Sequence, residues 1–151
     1  MECQIRRATS LDAEAISEVT INALRKSSAQ DYPPEVIARL EHNFSTQAIH
    51  RLMMQRQVFV AVVDEQVVAT ASLDGAVVRS VFVEPGYQGK GIGKQLMVVI
   101  HAAAIDASLE LLHVPSSITA ETFYVSMGYQ KVRDEFFGDE RTIVMCKRLL
   151  E

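Results

Sequence analysis

Little in this sequence could staple, chelate or anchor the chain. It has two cysteines, Cys3 and Cys146, near opposite ends of its 151 residues. So sparse a pair argues against a disulfide scaffold and fits a reduced cytoplasmic enzyme, with both thiols serving as small apolar residues. Four histidines, His42, His50, His101 and His113, show neither HxxxH nor HExxH spacing, so no metal is expected. A basic excess is also missing. The net charge of −4 argues against nucleic acid as a bulk electrostatic partner, although a local basic patch can still hold a small polyanion. The longest apolar run, residues 96–105, is interrupted by His101 and is too short to span a bilayer. No apolar core follows the basic residues of 1–7, so no signal peptide is expected there, and no membrane partner. Repeats, low-complexity tracts and linkers are lacking.

What is present is ordinary globular material: 48% apolar and 23% charged residues. A chain of this length is one domain's worth and can bury roughly 68–70% of its unfolded surface. Residues 4–8 read as a strand. Thr9 or Ser10 reads as a helix N-cap, with Asp12 and Glu14 at the positive end of the dipole. Ala13, Ile16, Val19, Thr20, Ala23 and Leu24 then keep helical spacing. A polar break at 27–34 precedes a short helix carrying Val36, Ile37 and Leu40, and Ser45 can cap a third with Ile49, Leu52 and Met53.

From Val58 the pattern becomes β-branched. Residues 58–63, 67–73 and 76–83 predict an antiparallel meander, with Asp74-Gly75 as a two-residue hairpin turn. Ile92, Leu96, Val99, Ile100, Ala103 and Ala104 mark a long helix. A strand is expected at 109–114, a break at Pro115-Ser116-Ser117, and a helix at 119–127 ended by Gly128. Residues 129–137 and 142–147 close as a hairpin around Gly138-Asp139. The expected class is α+β, with a mixed, mostly antiparallel central sheet flanked by helices on both faces.

The segment Gln88-Gly89-Lys90-Gly91-Ile92-Gly93-Lys94 is the main chemical signal. It fails GxGxxG, because Lys94 stands where the last glycine belongs. It fails the P-loop pattern, because Gln88 replaces the first glycine and Gln95 the final Ser/Thr. A plain loop-to-helix turn is the bland alternative. Yet the loop follows a strand and enters a helix, whose first N–H groups are unpaired and carry about half a positive charge. Glycines let a phosphate reach those groups, and Lys90 and Lys94 add charge.

With these residues the chain resembles the GNAT superfamily of acetyltransferases. Residues 81–96, VFVEPGYQGKGIGKQL, match the family's strand, turn and Q/R-x-x-G-x-G/A helix entry. Residues 117–129, SITAETFYVSMGY, match its A-x-x-F-Y-x-x-x-G-[FY] pattern. The resemblance implies that acetyl-CoA is the cosubstrate. The backbone of Val81, Phe82 and Val83 would pair with its pantetheine arm, and Gln88, Gly89, Lys90, Gly91, Ile92, Gly93 and Lys94 would hold its pyrophosphate. Tyr124 matches the tyrosine placed near the thioester sulfur, as the acid or hydrogen-bond donor to the departing thiolate. Ser117 stands where many members carry an asparagine that binds the cofactor, and it also reads as a helix N-cap.

The expected reaction is direct attack of a primary amine, on a small molecule, peptide or protein, at the thioester. No general base stands out. Some members use a glutamate where this chain has Leu112. Glu110, His113, Asp74, Glu84 and Glu121 are further candidates. Asp31 and Tyr32 in the 27–34 break either face a cationic substrate or, for Tyr32, pack beneath the loop. The closing hairpin offers an edge for a homodimer. Two other classes compete: a non-catalytic acyl-CoA-binding or regulatory module on the same fold, and a nucleotide-binding protein of another kind, which the failed fingerprints disfavour.

Overall fold

The computed structural model describes residues 2–26, 30–138 and 140–149. Ser27 and its two successors in the predicted break, and Asp139 in the closing turn, lie outside the described residues. Seven strands form one sheet in the order β1-β2-β3-β4-β5-β7-β6. These are β1 (Gln4–Arg7), β2 (Gln57–Val63), β3 (Gln66–Asp74), β4 (Val77–Val83), β5 (Leu111–Ser116), β6 (Gln130–Phe137) and β7 (Glu140–Arg148). Every pairing is antiparallel except β4 with β5. Helices α1 (Ala13–Lys26), α2 (Pro34–His42) and α3 (Thr46–Gln55) lie to one side, and α4 (Ile92–Asp106) and α5 (Glu121–Ser126) to the other.

Strand alternation sorts the core. Val58 and Val60 meet Ala13, Ile16 and Ile49 beneath α1 and α3. Phe59, Ala61 and Val63 join Leu96, Met97 and Ile100 beneath α4. The two clusters are the two faces of one sheet, which is why the meander segments read as nearly continuous apolar runs.

The N-terminal junction is tighter than its sequence suggests. Thr9 precedes a 3-10 turn at Ser10–Asp12 that leads into α1. Asp12 accepts from the Thr9 N–H at 2.7 Å and from the Arg6 Nη1 and Nη2 groups at 2.8 and 3.0 Å. The Arg6 hydrogen bonds, first, and then the Thr9 N–H hold this carboxyl below its ordinary range against the opposing effect of burial. A depressed pKa contributes stability that is full above the unfolded value near 3.9 and drains away as pH falls through the folded value. Arg6 is half exposed, so the cap outweighs the ion pair. Asp12→Ala should therefore cost about 1–2 kcal/mol at pH 7. Melting curves should show that difference shrinking below about pH 4.

Ser45 caps α3 as expected, accepting from the Ala48 N–H at 3.2 Å. The second hairpin turn differs by one residue. Asp74 pairs with Val77, so the loop is Gly75-Ala76, with Gly75 alone at positive φ, +59°. That pattern is a turn with glycine at its first central position.

The largest departure is at β5. Pro115 and Ser116, expected as a break, belong to the strand, in register with Val144 and Ile143 of β7. The His113 N–H donates to the Ala76 carbonyl at 3.0 Å, so by alternation the missing N–H of Pro115 lies on the β4 side. No pairing of β4 with β5 extends to Pro115. Proline is tolerated because no ladder bond is asked of it there. The strand begins later than expected, and α5 is shorter, a single helical stretch of six residues.

Candidate functional site

The sheet opens along one line. Strands β4 and β5 run parallel but share a single bridge, Val77 with His113, and diverge beyond it. On its other side β4 stays paired with β3, as Phe82 with Thr70 and Val83 with Ala69. The Glu84 N–H donates to the Val68 carbonyl at 2.8 Å, so the main-chain groups of Val83 and Val81 alternate toward the opening. Their side chains are half-buried against the α4-side core, whereas Phe82 meets Phe44 edge-on at 5.6 Å on the opposite face.

Between Thr70 and Ser72 the register slips, and Ser80 takes φ +56°. This β-bulge re-aims the strand where it parts from β5. Sequence reading missed it, though a signal was present. Arg79-Ser80 puts two polar residues side by side in a run that otherwise packs, which strict alternation cannot satisfy.

The opening leads to the glycine loop. A 3-10 turn at Pro85–Tyr87 carries the chain round, and the Gln88 side-chain amide donates back to the Val83 carbonyl at 3.0 Å. Gly89 and Gly91 take φ +76° and +82°, and a Cβ at either would meet nothing within 4 Å. Gly91 precedes the first turn of α4. The loop is exposed, as are Lys90 and Lys94. Ile92 is buried, so only its main chain can face a ligand. Gly93 has a different task. A Cβ there would come within 3.4 Å of the Phe123 ring and 3.8 Å of Val83, so its absence lets α5 lie against the start of α4.

Tyr124 is 5% exposed, in the same apolar cluster as Val81 and Val83. Its ring stands edge-on to Phe123 at 5.1 Å and to Tyr129 at 5.6 Å. Its hydroxyl makes no hydrogen bond among the described residues and, unlike the ring, is not fully buried. Burial pushes its pKa far above the ordinary phenol value. The Tyr129 hydroxyl, by contrast, is bonded to His101 Nε2 at 2.9 Å. Ser117 caps the turn before α5, its Oγ accepting from the Ala120 N–H at 3.3 Å.

The candidate bases scatter. Leu112 is fully buried. Glu110 is exposed just before β5, at the end away from the opening. His113 lies on the bridge itself. Asp74 is tied to Arg79 at 3.0 Å, and Glu84 accepts from the Asn22 amide at 3.1 Å. Asp31 accepts from the Thr119 hydroxyl at 2.5 Å and N–H at 3.1 Å, and Tyr32 is buried with its hydroxyl on the Arg141 carbonyl. Of the two readings of Tyr32, the structure shows packing.

A family model described as an acetyltransferase (GNAT) domain matches residues 28–148. The chain belongs to the GNAT acetyltransferase family. YafP of Escherichia coli K12, an uncharacterized N-acetyltransferase, is 27% identical over 132 residues, covering 87% of this chain and 84% of YafP. A GCN5-related N-acetyltransferase from Rhodopseudomonas palustris superposes with a TM-score of 0.91 at 19% identity, over 98% of this chain and 96% of that one. PaiA N-acetyltransferase of Thermoplasma acidophilum, solved with coenzyme A, gives 0.83 at 19% identity over 98% and 99%. These similarities establish the GNAT fold. Among the described residues no helix is long and apolar enough to cross a membrane.

Proposed function

We propose that this GNAT protein transfers the acetyl group of acetyl-CoA to a primary amine. The observation that carries the reading is the continuous path from the unpaired β4 edge to the exposed glycine turn at the start of α4. The residues present fit the cosubstrate. Pantetheine has two amides that need main-chain partners, and the main chain of Val81 and the Val83 N–H turn into the opening, the Val83 carbonyl being held by Gln88. A pyrophosphate needs N–H donors approachable without a Cβ, and Gly89, Gly91 and the first turn of α4 supply them. Lys90 and Lys94 add mobile positive charge, while Gln88 braces the loop to Val83.

When bound, acetyl-CoA supplies an activated acyl carbon and a thiol leaving group. The Tyr124 ring is buried, while its hydroxyl, without a hydrogen-bond partner among the described residues, keeps access from outside. Its raised pKa makes it a hydrogen-bond donor to sulfur rather than a source of a fully transferred proton, because a thiol's ordinary pKa near 8.5 lies well below it. Ser117 remains a candidate cofactor contact, with its capping bond competing for the hydroxyl.

An alkyl amine must lose a proton before it attacks, at a cost of about 4.6 kcal/mol at pH 7. Glu110 lies away from the opening, Asp74 and Glu84 are engaged, and Glu121 stands in the first turn of α5; a water path to bulk or a weakly basic amine fits this site best.

The test has two arms. Acetyl-CoA or CoA at a hundredfold excess over Kd should stabilise the fold by about 2.7 kcal/mol, a melting rise of about 5–10 °C. Thiol release from acetyl-CoA should then appear with a subset of an amine panel. Absence of any melting shift would sink the cofactor assignment. A shift without turnover of any amine would favour the non-catalytic acyl-CoA-binding module.

A further inference from the structure

On the α1–α3 side of the bulge lies a small pocket of about 20 Å³, room for about one water, lined by Phe44, Leu52, Val58, Ser72, Ser80 and Arg56. Its place in the fold is informative. If the glycine loop holds the pyrophosphate, the arm runs back along β4 from Val83, past Val81, and its reactive end arrives at Ser80. Tyr124 stands on the α4 side of the sheet, so the leaving sulfur is served from one face. The pocket lies on the other face.

Arg56 is an unusual lining for such a pocket. It directly follows α3, and its side chain is only 14% exposed. Nη1 donates to the hydroxyls of Ser80 at 3.0 Å and Ser72 at 3.4 Å. Nη2 makes no hydrogen bond among the described residues, and Nε is 4.0 Å from the nearest carboxylate, Asp74. Asp74 is itself more closely held by Arg79 at 3.0 Å. Two guanidinium groups therefore share one carboxylate, leaving a net positive charge beside the bulge. Burial and then Arg79 lower the Arg56 pKa, as expected of a cation short of anionic partners. Among the described residues no fully buried side-chain nitrogen lacks a partner, so the unbonded edge of Arg56 keeps contact with solvent, from which an anion can reach it.

We propose that Arg56 receives an anionic group of the acetyl acceptor, a carboxylate above all, so that the preferred acceptors are amines bearing an acid group. The planar fork of arginine matches a carboxylate, and the net charge repels polycationic amines. This specificity rests on the acetyl transfer proposed above.

The experiment compares α-amino acids and short ω-amino acids with their carboxamides, and with spermidine, as acceptors for wild type, Arg56→Gln and Arg56→Lys. Wild type should prefer acids over matched amides by about 10–50-fold in kcat/KM. Arg56→Gln should reduce that ratio to within about threefold, and Arg56→Lys should restore part of it. Calorimetric binding of the N-acetyl acids and N-acetyl amides to CoA-saturated protein should show the same ranking, and this arm decides even if no amine is turned over. Melting temperature and CoA affinity of both variants separate a loosened bulge from a lost anion contact. Equal use of acids and amides by wild type, spermidine as the best acceptor, or an equal loss on acids and amides in Arg56→Gln would overturn the proposal. Acetylation of amides or spermidine alone would leave acetyl transfer standing while removing this specificity. Absence of CoA binding would remove acetyl transfer itself.

Discussion

Tyr124→Phe is expected to lower kcat for acetyl transfer by about 10²–10³-fold, with little change in acetyl-CoA affinity or melting temperature. Stability should hold because phenylalanine fills the same space edge-on to Phe123 and Tyr129, and no protein hydrogen bond of the hydroxyl is lost among the described residues. The main-chain carbonyl of Tyr124, which accepts from the N–H groups of Met127 and Tyr129, is untouched. What disappears is a donor in a water-poor place, where a hydrogen bond to developing charge on sulfur is worth more than in water. The pH profile distinguishes this role from proton transfer. Burial raises the Tyr124 pKa, so the phenol stays protonated throughout the neutral and moderately alkaline range. Activity should therefore rise with pH as the acceptor amine deprotonates, and the Tyr124→Phe curve should run parallel and lower. An alkaline loss below pH 10 in the wild type that vanishes in the variant would assign Tyr124 an ionisation the structure argues against.

Much of this arrangement was legible in the sequence because it depends on local chemistry. β-Branched runs gave the meander, Ser45 gave a cap, and glycines between a strand and a helical period gave the loop. The misses share a cause, which is that tertiary surroundings overrode a local rule. Pro115 reads as a breaker, yet it sits in β5 because no β4 pairing reaches its missing N–H. The same divergence that excuses the proline creates the opening, so the apparent break was itself a mark of the site. Gly93 looked equivalent to Gly89 and Gly91, but its role is close packing with Phe123, a residue 30 positions away in sequence. Asp31 and Tyr32 looked available for substrate, and both are occupied by partners 88 and 109 residues distant. Arg56 gave no sequence signal at all. It is a lone arginine after a helix, and only the pairing of β2, β3 and β4 brings Ser72 and Ser80 to it.

Gly91→Val should weaken acetyl-CoA and CoA binding by about a hundredfold or more, the largest effect expected of any loop substitution. Two penalties combine. At φ +82° a β-branched residue is a conformational outlier, so the turn must shift or the protein must carry the strain, about 1–2 kcal/mol. Space is not the obstacle in the free protein, since no atom lies within 4 Å of the added Cβ. The obstacle arises when an anion approaches, because the loop's N–H groups are useful only if nothing shields them. Losing one or two charge-assisted hydrogen bonds, each worth about 1.5–3 kcal/mol, accounts for the hundredfold. Gly75→Val supplies the control. Gly75 also has positive φ, +59°, with open space around its Cβ, but it lies in the β3–β4 hairpin turn rather than the loop. Both variants should melt lower than wild type by similar amounts, roughly 2–8 °C. Only Gly91→Val should lose CoA affinity by calorimetry. Equal losses in the two would mean that general destabilisation, not the loop's donors, sets binding, and an unchanged Gly91→Val would move the pyrophosphate away from the start of α4.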